Sequence, residues 1–467
     1  MTKDKPLEIK KIQTSKDMID GILFEQIYQP EEKNSCFIGW DYENNEEYIR
    51  DHLEENEFLW YVPIQDELIE KRAVILPSGI LEYGTDEELE KEISTFIGSW
   101  LDISPEHLQK ATWYVMLSWL IDRLHTIPYL RALGDYGTGK TRYLDVIGGL
   151  CYKPMFVGGA VKSAPIYRVI DLWRGTAIFD EFTLEKSDET QDIVQILNNG
   201  FQRGKPVLRC DSQNYDKVRA FDPFGAKILS TRSTFKDKAL ESRCITEIMK
   251  MTSKKTVPHD LTEEFFKKQD ELQKKLLMYR FKNINEIKPD ESVKIDFGNI
   301  MPRIRQTLAP FTVLFQHNEE RLKAFVKYAM DYNTSIIEEN SQSFDGQLVN
   351  FYMDAMEQKN MSVDSLDDYG KTEISVSDIK ELMLNDGWKD ESIKVSTIGR
   401  HYKALGFKTH VVRLGTKTKR ILSIDDVDLD VLKMKYVVIA DYGIDKKLNV
   451  TVVTDVTDTC GTTQKIL

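Results

Sequence analysis

The residues best suited to chemistry run Gly134-Asp-Tyr-Gly-Thr-Gly-Lys-Thr141. They fit G-x-x-x-x-G-K-[ST], the phosphate-binding P-loop. Gly134, Gly137 and Gly139 let backbone N–H groups close around phosphate oxygens, with Asp135, Tyr136 and Thr138 completing the loop. Lys140 is placed to reach β- and γ-phosphates, and the Thr141 hydroxyl to take a position on Mg²⁺. ATP and Mg²⁺ are the expected ligands.

A second group supports the first. Thr176-Ala-Ile-Phe-Asp-Glu-Phe182 is an apolar run ending in two acids, the Walker B arrangement. On a strand beside the P-loop, Asp180 would hold the Mg²⁺ shell, and Glu181 would orient and deprotonate the attacking water. About 40 residues separate Lys140 from Asp180, room for the helix, strand and helix between them.

Positive residues form a third group. Pro206–Asp211 and Tyr215–Phe221 read as a hairpin carrying Arg209, Lys217 and Arg219, which suits phosphate contacts and equally an ordinary solvated surface. Ser230 and Thr231 end the next strand. Arg243 precedes another; it could pair with a nearby acid or point at a neighbouring subunit's ATP as an arginine finger. From Lys394 to Ile424 there is no Asp or Glu, while Arg400, Lys403, Lys417 and Lys419 are among the cations there. That is the footprint of a nucleic-acid module, or of a similar module used for protein contacts.

The elements that must hold these residues follow from pattern. Pro128–Leu133 is short, apolar and free of glycine, a buried strand running into the P-loop. Leu144, Ile147 and Cys151 then fall at helical spacing. Phe58–Val62 and Arg72–Leu76 read as strands, and Asp86–Leu101 as a helix. The helix from Ser104 to about His125 is apolar all round and so buried. Residues 1–55 read as an appendage or irregular arm, 56–126 as a lead-in, 127–256 as the ATPase core and 257–340 as a helical lid. Glu338–Gly346 reads as a linker. Residues 345–425, ordered helix, helix, helix, hairpin, read as a winged helix, and 426–467 as a partly disordered tail.

The whole chain sets bounds. Its 467 residues allow several domains, and no run of about 18 apolar residues suggests a membrane span. The five cysteines (Cys36, Cys151, Cys210, Cys244, Cys460) are scattered, without a C-x-x-C, which argues against zinc or a disulfide framework. With no apolar segment behind Met1, the expected compartment is the cytoplasm. The net charge of −13 makes the location of positive charge more informative than its sum.

These motifs resemble the AAA+ ATPases, and among them the hexameric replicative helicases of phages, plasmids and archaeal mobile elements. The resemblance covers about Leu76–Tyr332. It rests on Gly134–Thr141, Ile178–Glu181, Leu197-Asn-Asn-Gly200, Lys227–Thr231 and Leu240-Glu-Ser-Arg243. The layout with a carboxy-terminal winged helix is also similar to the minichromosome-maintenance helicases. The resemblance implies an α/β, three-layer P-loop core with a helical lid, and a homo-hexameric ring with ATP at subunit interfaces. Lys140, Thr141, Asp180 and Glu181 would come from one subunit and Arg243 from the next. Ser230 or Thr231 stands where the family usually has its sensor asparagine. Lys217 and Arg219 fall where it carries its DNA-contacting loop. No amino-terminal primase or zinc module is visible, so priming activity is not carried over; a primase or another replication protein is an expected partner. The implied activity is ATP-dependent DNA unwinding or translocation. The alternatives are a loader or remodeller, and an ATP-switched DNA-binding initiator.

Overall fold

The computed structural model describes residues 9–158, 163–180, 188–210, 218–252, 254–287, 295, 297–298, 300–361, 374–388, 392–414 and 417–438. The chain divides into two compact units. One comprises Met1–Lys294 and Gln306–His317, the other Ile295–Arg305 and Asn318–Leu467. Among the described residues, no helix is long and apolar enough to cross a membrane.

The first unit opens with β1 (Lys10–Thr14), β2 (Lys16–Ile19), β3 (Ile22–Gln29), β4 (Asn34–Asp41), β5 (Glu46–Arg50), β6 (Leu53–Asn56) and β7 (Leu59–Pro63). They form an antiparallel sheet β2-β3-β4-β5 and a smaller one ordered β1-β7-β6. Of the two readings of residues 1–55, appendage or irregular arm, the second does not hold for the described residues from 9 onward, which are largely strand. Phe24, Phe37 and Leu53 make the local core of this sheet region. Its polar residues are also buried, which hid it. The Gln26 side chain exchanges two hydrogen bonds with the Ile64 backbone, at 2.9 and 3.0 Å.

A single helical turn, α1 (Glu67–Glu70), follows. The strand expected at Arg72–Leu76 does not form; Val74 makes only an isolated bridge to Met155. Arg72 is left-handed (φ 57°), and with Pro77 beyond, too little extended chain is left between them. Thr85 and Glu88 make a capping box that starts α2 (Asp86–Trp100). Ser104 caps α3 (Pro105–Ser118), with proline at its first position. α3 is buried as expected but ends at Ser118 rather than near His125. The Tyr114 hydroxyl lies 3.0 Å from the carbonyls of both Pro128 and Lys227, tying α3 to the central sheet.

That sheet alternates with helices: β8 (Tyr129–Leu133), α4 (Lys140–Tyr143), β9 (Pro154–Val157), α5 (Ser163–Trp173), β10 (Thr176–Phe179), α6 (Asp188–Asn199), then the hairpin β11 (Val207–Cys210) and β12 (Val218–Phe221). β13 (Lys227–Thr231), α7 (Lys238–Glu241) and β14 (Cys244–Ile248) complete it. The five-stranded order is β14-β8-β13-β10-β9, with every pair parallel. Unbroken apolar strands such as Thr176–Phe179 are what a sheet covered on both faces requires. One expectation is corrected here: the Asp180 strand is not beside the P-loop strand, because β13 lies between them.

The last long helix of this unit, α8 (Glu263–Asn283), is anchored through charge. Buried Arg280 donates to Glu25 at 2.8 Å, to the Trp119 carbonyl at 2.5 Å and to Asp122. Glu25 also pairs with buried Lys153 at 2.7 Å and accepts from the Tyr152 hydroxyl at 2.9 Å. Burial pushes the Glu25 carboxyl upward, but the charges of Lys153, Arg280 and Lys16 outweigh it and hold the group below the usual range.

The boundary between the units falls inside α9 (Pro302–Leu308). The second unit contains α10 (Glu319–Ser341), α11 (Phe344–Met361), β15 (Ile374–Ser375), α12 (Val376–Asn385), α13 (Val395–Ala404), β16 (Lys408–Leu414), β17 (Lys417–Ser423) and α14 (Asp426–Tyr436). Its sheet is antiparallel, ordered β15-β17-β16. Two expectations change. Only Gln342 and Ser343 separate α10 from α11, so there is no linker at Glu338–Gly346. The first part of the expected tail is α14, whose Leu429, Leu432 and Tyr436 join the unit's core. Residues 439–467 lie outside the described residues.

Candidate functional site

β8 delivers the P-loop at its carboxyl end, between β13 and β14. The Gly134 N–H donates to the Thr231 carbonyl at 3.1 Å, and the Met249 N–H to the Leu133 carbonyl at 2.7 Å. A Cβ at Gly134 would stand 2.9 Å from the Met249 carbonyl oxygen, so only glycine fits there. Gly139 has φ 87° and turns the chain into α4. Lys140 is buried, and its ammonium donates to the Asp135 carbonyl at 2.7 Å. The Thr138 hydroxyl donates to the same carbonyl at 2.8 Å. Tyr136 is exposed, and the Arg232 guanidinium lies 3.6 Å from its ring centre.

α4 does not continue as a regular α-helix. Leu144–Gly148 is π-helical. Two side chains of α8 meet this turn. The Gln269 amide donates to the Asp145 carbonyl at 3.3 Å and the Gln273 amide to the Gly149 carbonyl at 2.6 Å. The Asp145 carbonyl also accepts from the Gly149 N–H at 3.2 Å, so the Gln269 amide is a second donor to it. The turn also packs on β10: a Cβ at Gly148 would meet Ile178 at 2.5 Å. Crossing β13 to reach β10, the segment after the P-loop brings Thr141 to Asp180 despite the intervening strand.

The centre of the site is therefore the Asp180 carboxylate. One oxygen accepts from Thr141 Oγ1 at 3.1 Å and the other from Ser230 Oγ at 2.8 Å. The adjacent Thr231 hydroxyl is buried without a hydrogen-bond partner in the structure. Burial raises the Asp145 carboxyl above its usual range; the nearby Asp180 charge adds to this, and Arg142 opposes it. Glu181 lies outside the described residues. Among the described residues, no cluster of three or more His, Cys, Asp or Glu could hold a metal by itself. A hydroxyl and a carboxylate as close as Thr141 and Asp180 do fit Mg²⁺, which takes one or two protein oxygens and completes its shell from phosphates and water.

Beside the loop opens a cleft of about 630 Å³. Its floor is Tyr136–Arg142, and its walls include Trp100, Leu101, Met249, Val257, Pro258 and His259. Arg142 secures one wall by donating to the carbonyls of Pro258 and His259. Asp102 secures another, accepting from Thr252 at 2.8 Å and pairing with Lys254 at 2.5 Å. Arg142 and Arg232 went unread in the sequence. Each directly follows a recognised motif, but nothing in the spacing says which way an arginine turns.

The remaining sequence candidates are scattered. Arg243 sits at the amino end of β14, next to the residue that pairs with Tyr129, whereas the P-loop follows Leu133. Four strand residues, about 13 Å, separate those ends. Its guanidinium donates to Asn198 Oδ1 and lies over the Phe201 ring, 5.4 Å from the centroid. Arg209 pairs with Asp192 at 2.5 Å and reaches the Tyr167 hydroxyl at 2.5 Å. Arg219 stands opposite it in the hairpin register and is exposed. Lys217 lies outside the described residues. In the second unit, Arg400 and Lys403 are exposed on α13, Lys417 begins β17, and Lys419 pairs with Asp378 at 3.0 Å.

No protein-family profile and no curated protein matches the sequence. Among solved structures, the chain is similar to the apo C-terminal region of NrS-1. That match has 11% identity and a TM-score of 0.36, over 86% of this chain and 97% of that one. It is also similar to JCV helicase, at 12% identity and a TM-score of 0.26, over 55% of this chain and 65% of that one.

Proposed function

We propose that this chain is an ATP-hydrolysing DNA motor, a helicase or translocase that works as a homo-hexameric ring in replication of a mobile element. The observation that carries the reading is the Asp180 carboxylate held between the hydroxyls of Thr141 and Ser230 at the end of a P-loop. Backbone N–H groups of Gly134–Thr141 would grip the phosphates. Lys140 would exchange its bond to the Asp135 carbonyl for phosphate oxygens. Thr141 and Asp180 would hold Mg²⁺, which when bound offsets phosphate charge. Ser230 fixes the Asp180 carboxylate, and Glu181 would take the proton from the attacking water. Arg243 would act in trans, leaving Asn198 to meet the neighbouring subunit's nucleotide. Rate enhancement here is positioning and charge stabilisation.

In this reading the helices over 257–340 are a lid, and residues 345–425 are a winged helix. Arg400, Lys403, Lys417 and Lys419 would contact phosphates there, as would Arg209, Lys217 and Arg219 on the hairpin. A primase is a fitting partner, and the cytoplasm the compartment.

The test is ATP hydrolysis with and without oligo(dT), for wild type, Lys140→Ala, Asp180→Asn, Ser230→Ala and Arg243→Ala, with mass from light scattering. Lys140→Ala and Asp180→Asn should lose on the order of a hundredfold or more, and Ser230→Ala about tenfold. Arg243→Ala should keep the assembly and lose hydrolysis. Hydrolysis indifferent to Lys140→Ala sinks the ATPase. A monomer in ATP and DNA, with Arg243→Ala silent, sinks the ring.

A further inference from the structure

A second cleft of about 980 Å³ opens in the first unit and shares no lining residue with the P-loop cleft. Its walls come from the corner Gln13–Lys16 between β1 and β2, from α5 and the residue after it, from Asp192 of α6, and from the β11-β12 hairpin. Five cations line it (Lys16, Arg168, Arg174, Arg209, Arg219) against two acids, Asp171 and Asp192. In a chain of net charge −13 that is a local reversal of sign.

The partners of these cations separate them. Lys16 is held by Asp122 and Arg209 by Asp192. Arg174 is exposed and meets only a carbonyl, that of Asp171, at 3.4 Å. Arg168 is exposed and, among the described residues, has no hydrogen-bond or ion-pair partner. Arg168 on α5 and Arg174 just past its end thus have no ion-pair partner among the described residues, although Asp171, three residues from each, lines the same cleft. Between them Leu172 is 42% exposed. The Tyr167 ring lies under Arg209, 4.9 Å from its guanidinium, and beside the Phe221 ring at 5.9 Å.

We propose that this cleft is a binding track for single-stranded DNA. Arg168 and Arg174 take phosphates, and the amino-terminal corner Gln13–Lys16 forms its far wall. The track extends the DNA reading above and rests on it for the class of ligand. Cations beside exposed Leu172 and half-buried Phe221 suit a single strand, whose base faces are open to contact; a duplex buries them. The amino-terminal sheet then has a task of its own: it completes a nucleic-acid groove whose other wall is the motor domain.

Two measurements on the full chain test this. The first is anisotropy of fluorescein-labelled oligo(dT) over a range of NaCl, for wild type and Arg168→Ala/Arg174→Asn. Asparagine tolerates the left-handed backbone at position 174 (φ 50°). The variant should bind at least tenfold more weakly at low salt. Its slope of log K against log salt should fall by about 1.4, two contacts at ~0.7 each. Basal ATP hydrolysis and the thermal midpoint should not move.

The second uses Cys210, an exposed thiol on the cleft wall. Its rate of N-ethylmaleimide modification is read by peptide mass spectrometry. Saturating oligo(dT) should slow it several-fold, while pyrophosphate at matched ionic strength should not. Protection by pyrophosphate alone would make this a small-anion site and overturn the proposal. So would wild-type affinity and slope in the variant, or a Cys210 rate that ignores oligo(dT). Protection of Cys210 in a chain that hydrolyses no ATP leaves the track standing and sinks the motor. DNA-stimulated hydrolysis with Cys210 unprotected does the reverse.

Discussion

His107 shows what burial does to a single residue near the site. Its Nε2 lies 2.6 Å from the hydroxyl of Tyr143, on the turn that follows the P-loop, and its buried Nδ1 has no hydrogen-bond partner, the Glu247 carboxylate standing 3.8 Å away. Burial, with the nearby Lys110 charge, pushes its pKa down to about 3. The sign follows from linkage. The unfolded chain takes up this proton near pH 6.5 and the folded chain only near 3, so stability is complete above the first value and falls between them. His107 alone should cost about 2 kcal/mol on going from pH 8 to pH 5. His107→Gln, which can keep a bond to Tyr143, should remove that part of the acid sensitivity. Urea midpoints at both pH values for the two proteins check it; an equal loss in both refutes it. Such a residue was silent in the sequence, where His107 is one polar position near the start of an apolar helix. The closeness of Thr141 to Asp180 was legible because both belong to spaced patterns. Ser230 and Thr231 could not be told apart by pattern. The pleat separates them: Ser230 bonds Asp180, while the Thr231 carbonyl holds Gly134.

Among the elements, α8 does the most to join distant parts of its unit. One end meets the π turn through Gln269 and Gln273, and the other meets β3 through Arg280. Removing one partner of a buried ion pair leaves the others uncompensated, at about 3–5 kcal/mol. Arg280→Met should therefore lower the urea midpoint sharply. Glu25 keeps Lys153 in that variant, so adding Glu25→Gln should deepen the loss by stranding the buried Lys153 ammonium. A double variant no less stable than Arg280→Met alone would show that the cluster is not coupled. The sheet strands β8, β10 and β13 were readable from their short apolar stretches, although β8 also buries Arg131 and β13 buries Lys227, Ser230 and Thr231. The amino-terminal sheet was not, because Glu25 and Gln26 sit at buried positions and their compensating partners lie far away in sequence. α14 was missed for a different reason. Leu429, Leu432 and Tyr436 do fall at helical spacing, but exposed Val427 and Val431 blur the stripe.

For the whole molecule, the division into two units means that damage to one need not reach the other. Truncation after Asp425 removes α14 and with it three buried side chains of the second unit, each worth about 1.5–3 kcal/mol. Limited trypsin digestion should then cut within α11–α13 at least tenfold faster, while the first unit keeps its protease resistance. Unchanged cleavage would place α14 outside the cooperative core of its unit.

The Glu25–Arg280 contact spans 255 residues, and this bears on how the protein is made. A ribosome adds about 5–20 residues each second, so the carboxylate is synthesised roughly 13–50 s before its guanidinium. A lone buried charge is too costly to hold in the interim. β3 must keep that face in water until its partners emerge, Lys153 first and Arg280 last. Closure of the first unit is then a late, single event in translation, and the nascent amino-terminal sheet is a natural client for a chaperone throughout that wait.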